Sequence, residues 1–202
     1  RYIGALREVL VPLTLADTGA ATRNLTAAQQ QHNALGSTMN LGDVADQAFT
    51  AVRQAGSVTG EPARAALHKA VSILRDLMSR VGDGYNLTLD PDIDSYYSMD
   101  IVVVKLPLAL AQTVIVQEEA LRVLGHAQPT AADLIALMSS LRELANILAG
   151  IDGNLDSAYR GSLDGSLKIA YEAPLGRFRD AAKAYVEALG KVANSASHPT
   201  VA

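Results

Sequence analysis

Cysteine and tryptophan are absent from this 202-residue chain, and phenylalanine occurs only twice. Without cysteine the protein has no disulfide, no thiolate zinc site and no cysteine nucleophile. Hydrophobic residues still make up 49% of the sequence, which is enough for a sizeable core. Alanine, leucine and valine supply most of them, and such small side chains let helices approach closely. We therefore expect an all-α protein.

Positive charge is also sparse, because the chain has no cluster of lysine and arginine and carries a formal charge of −4. Attraction to phosphates supplies most of the sequence-independent affinity for nucleic acid. Such attraction needs a basic patch, and this sequence does not provide one. We expect no nucleic-acid partner.

Long apolar runs are scarce as well. A helix needs roughly 20 predominantly apolar residues to span a bilayer. The nearest run, residues 101–116, is interrupted by Lys105, Pro107, Gln112 and Thr113, so we expect it to be buried in protein. The chain opens at Arg1 directly in a helical pattern, which suggests a piece of a longer polypeptide whose membrane spans and output domains lie elsewhere.

Helical periodicity is nearly continuous and is interrupted by glycine-rich turns at Gly36, 56–60, 82–84, Gly125 and Gly161. These breaks predict six helices. Their expected bounds are about 2–35, 43–55, 62–80, 91–124, 131–151 and 163–192, with the fifth ending at 151 or resuming over 155–159.

The helix lengths indicate one domain, residues 1–202. Four helices are long, and about 30 residues span roughly 45 Å. Short connections make neighbouring helices antiparallel, which predicts an elongated up-and-down bundle. The two shorter helices, within about 38–86, are expected to form a hairpin inserted at one end. Both termini are then expected at the opposite end.

Polar and aromatic side chains are concentrated in one segment, residues 89–100, with the sequence LDPDIDSYYSMD. Asp90 suits a helix N-cap and Pro91 the first helical position. Asp92 and Asp94 lie where the helix dipole favours negative charge. Capping does not require the residues that follow, so the segment indicates a binding pocket or a specialised helix junction.

Asp100 is the strongest candidate for a functional residue in this segment. Helical spacing places it on a stripe with Ile93, Tyr97, Ile101 and Val104 that should face the core. Because Val104 follows it by four residues, no basic residue one turn on can pair with it. A buried carboxylate is usually paired within the protein, but direct contact with a ligand is the alternative.

Two arginines of the preceding helix, Arg75 and Arg80, are the available partners for Asp100 or for a carboxylate on a ligand. Tyr96 and Tyr97 have the same two interpretations, since a tyrosine at a helix junction can pack or can bind. If a small molecule binds, we expect it to touch Tyr96, Tyr97 or Asp100.

No catalytic or metal-binding pattern accompanies these residues. The histidines are scattered, at His32, His68, His126 and His198, without the spacing of a metal set. A nucleophile paired with a base and a cofactor-binding loop are also missing. We therefore predict a non-enzymatic chain with no metal and no cofactor.

The segment over 90–100 also carries a family resemblance. DPDIDSYYSMD, the following apolar run and Lys105-Leu106-Pro107 resemble the extracytoplasmic helical sensor regions of bacterial sensor histidine kinases and methyl-accepting chemotaxis receptors. Those regions have a D-P-D-x-D-S-Y-Y-L-M-D core followed by R-L-P. This chain departs from the pattern at 86–89, Ser98 and Lys105. The resemblance is close over the motif and loose over most of the chain.

The resemblance implies a periplasmic sensing domain of an inner-membrane protein, tethered by flanking transmembrane helices and relaying ligand binding through its terminal helices. It names no ligand. A histidine kinase is the leading interpretation, and a chemoreceptor or a ligand-free structural bundle are the alternatives. Small residues of the first helix, Ala16, Gly19 and Ala20, further suggest a weak homodimer.

Overall fold

The computed structural model describes residues 1–85 and 92–197, so the roles expected for Asp90, Pro91 and His198 lie outside the described residues. The described part is all-α and contains no strand, as expected. In this part seven α-helices replace the predicted six. They are α1 (Tyr2–Thr14), α2 (Thr18–Leu35), α3 (Gly42–Ser57), α4 (Glu61–Gly84), α5 (Ile93–Gly125), α6 (Ala131–Gly161) and α7 (Ser166–Ser197).

The additional helix arises because the expected first helix is two helices. α1 ends two residues after Pro12, and Ala16 adopts the left-handed conformation with φ 58°. The Asp17 side chain then accepts a hydrogen bond from the backbone of Ala20 at 2.8 Å, which caps α2. Ala16 therefore lies in a turn, so Ala16, Gly19 and Ala20 do not form the continuous helix face expected for a homodimer.

α1 and α2 form an antiparallel hairpin. At its open end the Tyr2 hydroxyl lies 3.0 Å from Nδ1 of His32. Nearer the turn, the Asn24 side chain donates to the backbone carbonyl of Glu8 at 2.6 Å. The hairpin packs on α3 and α4.

The remaining helices follow the predicted pattern more closely. α3 and α4 match the expected short helices over 43–55 and 62–80, with α4 extending to Gly84. α6 continues without interruption to Gly161, so the expected break near 151 does not occur. The Thr130 side chain caps α6 in a capping box with Asp133.

Two hydrophobic cores divide the chain. The N-terminal core lies among α1 to α4, and the C-terminal core lies among α5 to α7. The largest buried side chains of the first include Tyr2, Leu6, Leu10, Leu74 and Met78, and those of the second include Leu137, Leu144, Ile151 and Leu155. Since α5 contacts both α4 and α6, it joins the two cores.

α4 and α5 run antiparallel along this junction. Near one end, Nε2 of His68 lies 2.7 Å from a carboxylate oxygen of Glu118. Near the other end, Gly82 lies so close to Val103 that a Cβ at Gly82 would meet a Val103 methyl group at 3.0 Å. The antiparallel arrangement agrees with the expected up-and-down topology for this pair.

The ends of α1, α5 and α7 lie together. A groove of about 400 Å³ is lined by Leu15 after α1, Leu124 near the end of α5 and Leu189 near the end of α7. α6 runs antiparallel to α5, with Ser140 beside Gln112 and Gly161 beside Asp94, and α7 returns along α6, with Arg179 beside Asp152. α5 and α7 therefore run in the same direction, and α1 shares it, because Tyr2 at its start lies near Tyr85 at the end of α4. The start of α1 and the end of α7 thus lie at opposite ends of the described part, contrary to the expectation that both termini emerge at one end.

α5 and α6 are both long and apolar enough to cross a membrane, as core helices of soluble proteins can also be. Only 39% and 33% of their most apolar stretches are buried within the protein. Exposed apolar side chains include Leu121, Leu124, Ile135 and Met138. The expectation of a buried helix over 101–116 is therefore only partly correct.

Candidate functional site

A π-helical segment, Asp100–Lys105, interrupts α5 where the two cores meet. The N–H of Leu106 donates to the carbonyl of Ile101, five residues back instead of four. Pro107 follows directly, and a proline inside a helix cannot donate a backbone hydrogen bond and crowds the preceding turn. The wider turn accommodates this residue without breaking α5.

The π segment directs side chains toward both the C-terminal core and α4. Ile101 packs in the C-terminal core, while Val103 packs on α4. The stripe predicted from uniform helical spacing was therefore wrong in part, since Ile93 is 59% exposed and Val104 is 37% exposed. Both departures follow from the change in helical period and from the position of Ile93 at the start of α5.

Asp100 faces α6 and is paired there. Its carboxylate accepts a hydrogen bond from the side-chain amide of Asn154. Nζ of Lys105 lies 3.7 Å from the same oxygen. The prediction that no basic residue one turn on could pair with Asp100 was wrong, because the π segment brings the fifth residue onward to the same face.

Small residues on α6 allow this close approach to α5. Gly150, Asn154, Ala158 and Gly161 share one helical face. A Cβ at Gly161 would lie 2.9 Å from the backbone nitrogen of Asp94. Sequence reasoning missed Asn154 and this contact, although glycines at helical spacing within an apolar helix are a signal for close packing.

Tyr96 and Tyr97 lie one turn before Asp100. Their rings make an edge-to-face contact, with centroids 5.3 Å apart and planes at 76°. Tyr97 is half-buried and Tyr96 is more exposed. Neither phenol has a hydrogen-bond partner within 1–85 and 92–197, so the two rings present polar tips at the surface of the junction.

Arg80 and Arg75 differ in their environments. Nε of Arg80 lies 2.8 Å from a carboxylate oxygen of Asp76 in an exposed pair one turn apart. Arg75 is half-buried, and this burial lowers the pKa of its guanidinium group. No carboxylate or hydrogen-bond acceptor pairs with Arg75 in the part of the chain that the structure describes.

Arg75 lines a groove of about 310 Å³ between α4 and the π segment. On the α4 side the lining also includes the hydroxyl groups of Ser72 and Ser79 and the carboxylate of Asp76, which is paired with Arg80. Val103, Val104 and Pro107 form the apolar wall opposite. A guanidinium group beside hydroxyls and an apolar wall is suited to a small molecule with a carboxylate or phosphate, which arginine binds through two parallel hydrogen bonds.

The five predicted site residues thus form separate contacts. Asp100 is paired toward α6, Arg75 faces the groove on the α4 side, and Arg80 is paired with Asp76. No described contact joins either arginine to Asp100. The π segment lies between the two groups, so a ligand in the groove would contact the helix turn that also holds Asp100.

No match to this chain is found among protein-family models, curated proteins or solved structures. Within residues 1–85 and 92–197 there is also no group of three or more metal-ligating side chains. The functional assignment therefore depends on the residues around the π segment.

Proposed function

We propose that this chain is the extracytoplasmic signal-sensing domain of a bacterial transmembrane histidine kinase, located in the periplasm. In this proposal, a small anionic ligand binds Arg75 in the groove between α4 and α5. The resemblance of the sequence over 90–100 supports the sensing role, and one observation supports the ligand site: Arg75 is half-buried beside an open groove and has no acceptor among the described residues. Burial of an arginine is costly unless an anion or acceptor compensates for it.

The position of the groove offers a route for the signal. Its apolar wall includes Val103, which belongs to the π segment and packs on α4. The same segment holds Asp100 against Asn154 of α6. A ligand shifts the domain only as far as it favours one arrangement over another. Movement of Val103 would therefore be transmitted to the contact between α5 and α6.

The direction of the terminal helices restricts this proposal. Because α1 and α7 run in the same direction, straight continuations of both would leave at opposite ends of the domain. A domain tethered at one end through both helices therefore requires a returning segment beside α1 or α7. The signal would then reach the membrane along one of these helices directly.

The chemoreceptor alternative uses the same groove and differs only in the output domain. The ligand-free bundle is supported by a different observation, the pairing of Asp100 with Asn154 and Lys105. That pairing satisfies the carboxylate within the protein and leaves it no need of a ligand. This alternative makes the motif a helix junction alone.

A thermal-shift experiment tests the proposal. Succinate, citrate and inorganic phosphate are titrated against the native domain, because a ligand that binds only the folded state raises the melting temperature. At a concentration of one hundred times Kd the expected stabilisation is about 2.7 kcal/mol. Arg75→Gln should weaken binding at least tenfold, since the charge-assisted hydrogen bonds are lost.

Arg64→Gln is the matched control, because Arg64 lies on α4 and is exposed outside the groove. It should leave the shift unchanged. Saturable binding that is equally weakened by both substitutions would indicate general charge attraction. The absence of a shift with any of the three anions would favour the ligand-free bundle.

A further inference from the structure

A second cavity lies within the C-terminal half, among α5, α6 and α7. Its volume is about 130 Å³. Apolar side chains form almost all of its lining, including Ala109, Leu144, Leu148, Phe178, Ala181 and Ala182. It exists because three of these positions are alanine, whose methyl group does not fill the space between three helices.

Two polar groups border this cavity. The Thr113 hydroxyl donates to the backbone carbonyl of Leu110 at 2.6 Å and is therefore satisfied. Tyr185 is half-buried, has no hydrogen-bond partner among the described residues, and burial raises the pKa of its phenol. Both residues also line the larger groove near Leu124, so the cavity has an adjoining apolar entrance.

We propose that this cavity binds a small aromatic molecule of one ring, with Tyr185 hydrogen-bonding to a polar substituent. An apolar cavity of about 150 Å³ in a helical protein stays dry and accepts benzene, so the volume here fits a ligand of that size. The site differs from the Arg75 groove in position and in ligand chemistry, and it does not depend on the function proposed above.

Binding would tighten α7, because α7 forms one wall of the cavity through Phe178, Ala181, Ala182 and Tyr185. Ala193 is the only buried residue of α7 among its described side chains, and larger apolar residues such as Leu175 and Val186 are only half-buried against the C-terminal core. A ring between Leu144 of α6 and Phe178 of α7 adds contacts that the alanines cannot supply. The ligand therefore stabilises the docked position of α7.

Calorimetric and thermal-shift titrations of the native protein with toluene and phenol test this proposal. Both probes should bind saturably, and hydrogen exchange in α7 should slow on binding. Tyr185→Phe should weaken phenol binding severalfold and leave toluene binding unchanged, because only phenol uses the hydroxyl group.

Filling the cavity provides the decisive variant. Ala182→Leu should raise the melting temperature without ligand and weaken both probes at least tenfold. Ala188→Leu, at an exposed position of α7, is the matched control and should leave probe binding unchanged. If Ala182→Leu does not fold, Ala182→Val makes the same test with a smaller side chain. Undiminished binding in the filled variant, or no saturable binding of either probe, would overturn the proposal.

Discussion

The first and last helices differ sharply in how they are packed. α1 has 13 residues, and six of them are buried. α7 has 32 residues, and Ala193 is the only buried one among its described side chains. Length therefore does not measure how firmly a helix is held. The shorter helix is part of a scaffold, and the longer one lies along the surface of its neighbours.

Side-chain composition explains this difference. α1 places Leu6, Leu10 and Leu13 at helical spacing, so large apolar groups enter the N-terminal core on successive turns. The middle of α7, residues 177–188, contains four alanines and five charged residues, and its larger apolar residues Phe178, Tyr185 and Val186 are only half-buried. Alanine gives up little area on burial, which leaves gaps beside α7. We expect α7 to have a low free energy of local opening compared with α1 to α4.

Truncating one leucine in each half should give the largest difference in unfolding free energy between α7 and the N-terminal core. Leu74→Ala in the N-terminal core should cost about 2 to 5 kcal/mol of unfolding free energy, because Leu74 is fully buried. Leu175→Ala, at a half-buried position of α7, should cost about 1 kcal/mol or less. Urea unfolding measures both variants. Equal losses would show that α7 is packed as firmly as the scaffold.

Removing the carboxylate at the junction should have the next largest effect. Asp100→Ala leaves Asn154 and Lys105 without their acceptor, which should cost roughly 1 to 3 kcal/mol. Glu8→Ala is the control, since it removes an exposed pair with Arg7, outside the groove, that is worth about 0.5 kcal/mol. Unfolding and succinate titration are measured together. Lost succinate binding with little change in stability would instead assign Asp100 to the ligand.

Two glycines of α6 differ in how closely a neighbouring helix approaches them. Gly161→Ala places a methyl group 2.9 Å from the backbone of Asp94 and should destabilise the protein by about 1 kcal/mol or more. Gly153→Ala meets nothing within 4 Å and should stabilise it by about 0.5 to 1 kcal/mol, because alanine favours helix. Thermal unfolding of the two variants shows whether each substitution lowers or raises the stability. Stabilisation by both would show that α5 does not approach α6 as described.

The smallest expected effect is a pH dependence confined to the C-terminal half. Hydrogen bonds from Thr130 lower the pKa of Asp133, and hydrogen bonds from Ser166 lower that of Asp164. A carboxyl group with a lowered folded pKa stabilises the protein above its unfolded pKa of about 3.9. That contribution is lost as pH falls through the folded value.

Hydrogen exchange at decreasing pH, corrected for intrinsic rates, measures this effect. Protection should decline first in α6 and α7, whose starts these carboxylates cap. Thr130→Ala is expected to reduce the dependence at α6 and to leave that at α7 unchanged. Earlier loss of protection in α1 to α4 would contradict the assignment.

Much of the fold was predictable because the turns have simple local causes. Glycine clusters and the cap at Thr130 set the ends of α3, α4 and α6. The break between α1 and α2 is hard to detect because residues compatible with a helix, such as Leu15 and Ala20, lie on both sides of it. Only the left-handed Ala16 and the capping Asp17 mark the break. Alanine rarely adopts this conformation, so its presence does not indicate a turn.

The pairings of the candidate site were not predictable from the sequence. The segment at 89–100 predicted a binding pocket or a specialised helix junction, and within its described residues Asp100 has a partner on another helix. That partner is Asn154 instead of Arg75 or Arg80. The prediction failed because it assumed a uniform helical period, and pairings across helices depend on tertiary contacts that a local pattern does not specify.

The π segment also changes the direction in which the side chains of α5 face around the helix axis. Each residue of an α-helix advances the chain by roughly 100° about the axis, so one extra residue in a turn rotates everything after it by that angle. The stretch of α5 before the segment packs on α6 at Gly161, and the stretch after it also places Glu118 beside His68 of α4. Deleting one residue from 102–104 would give α5 a uniform helical period along its whole length. Its side chains could then face only one of the two neighbouring helices, α4 or α6, as they do now.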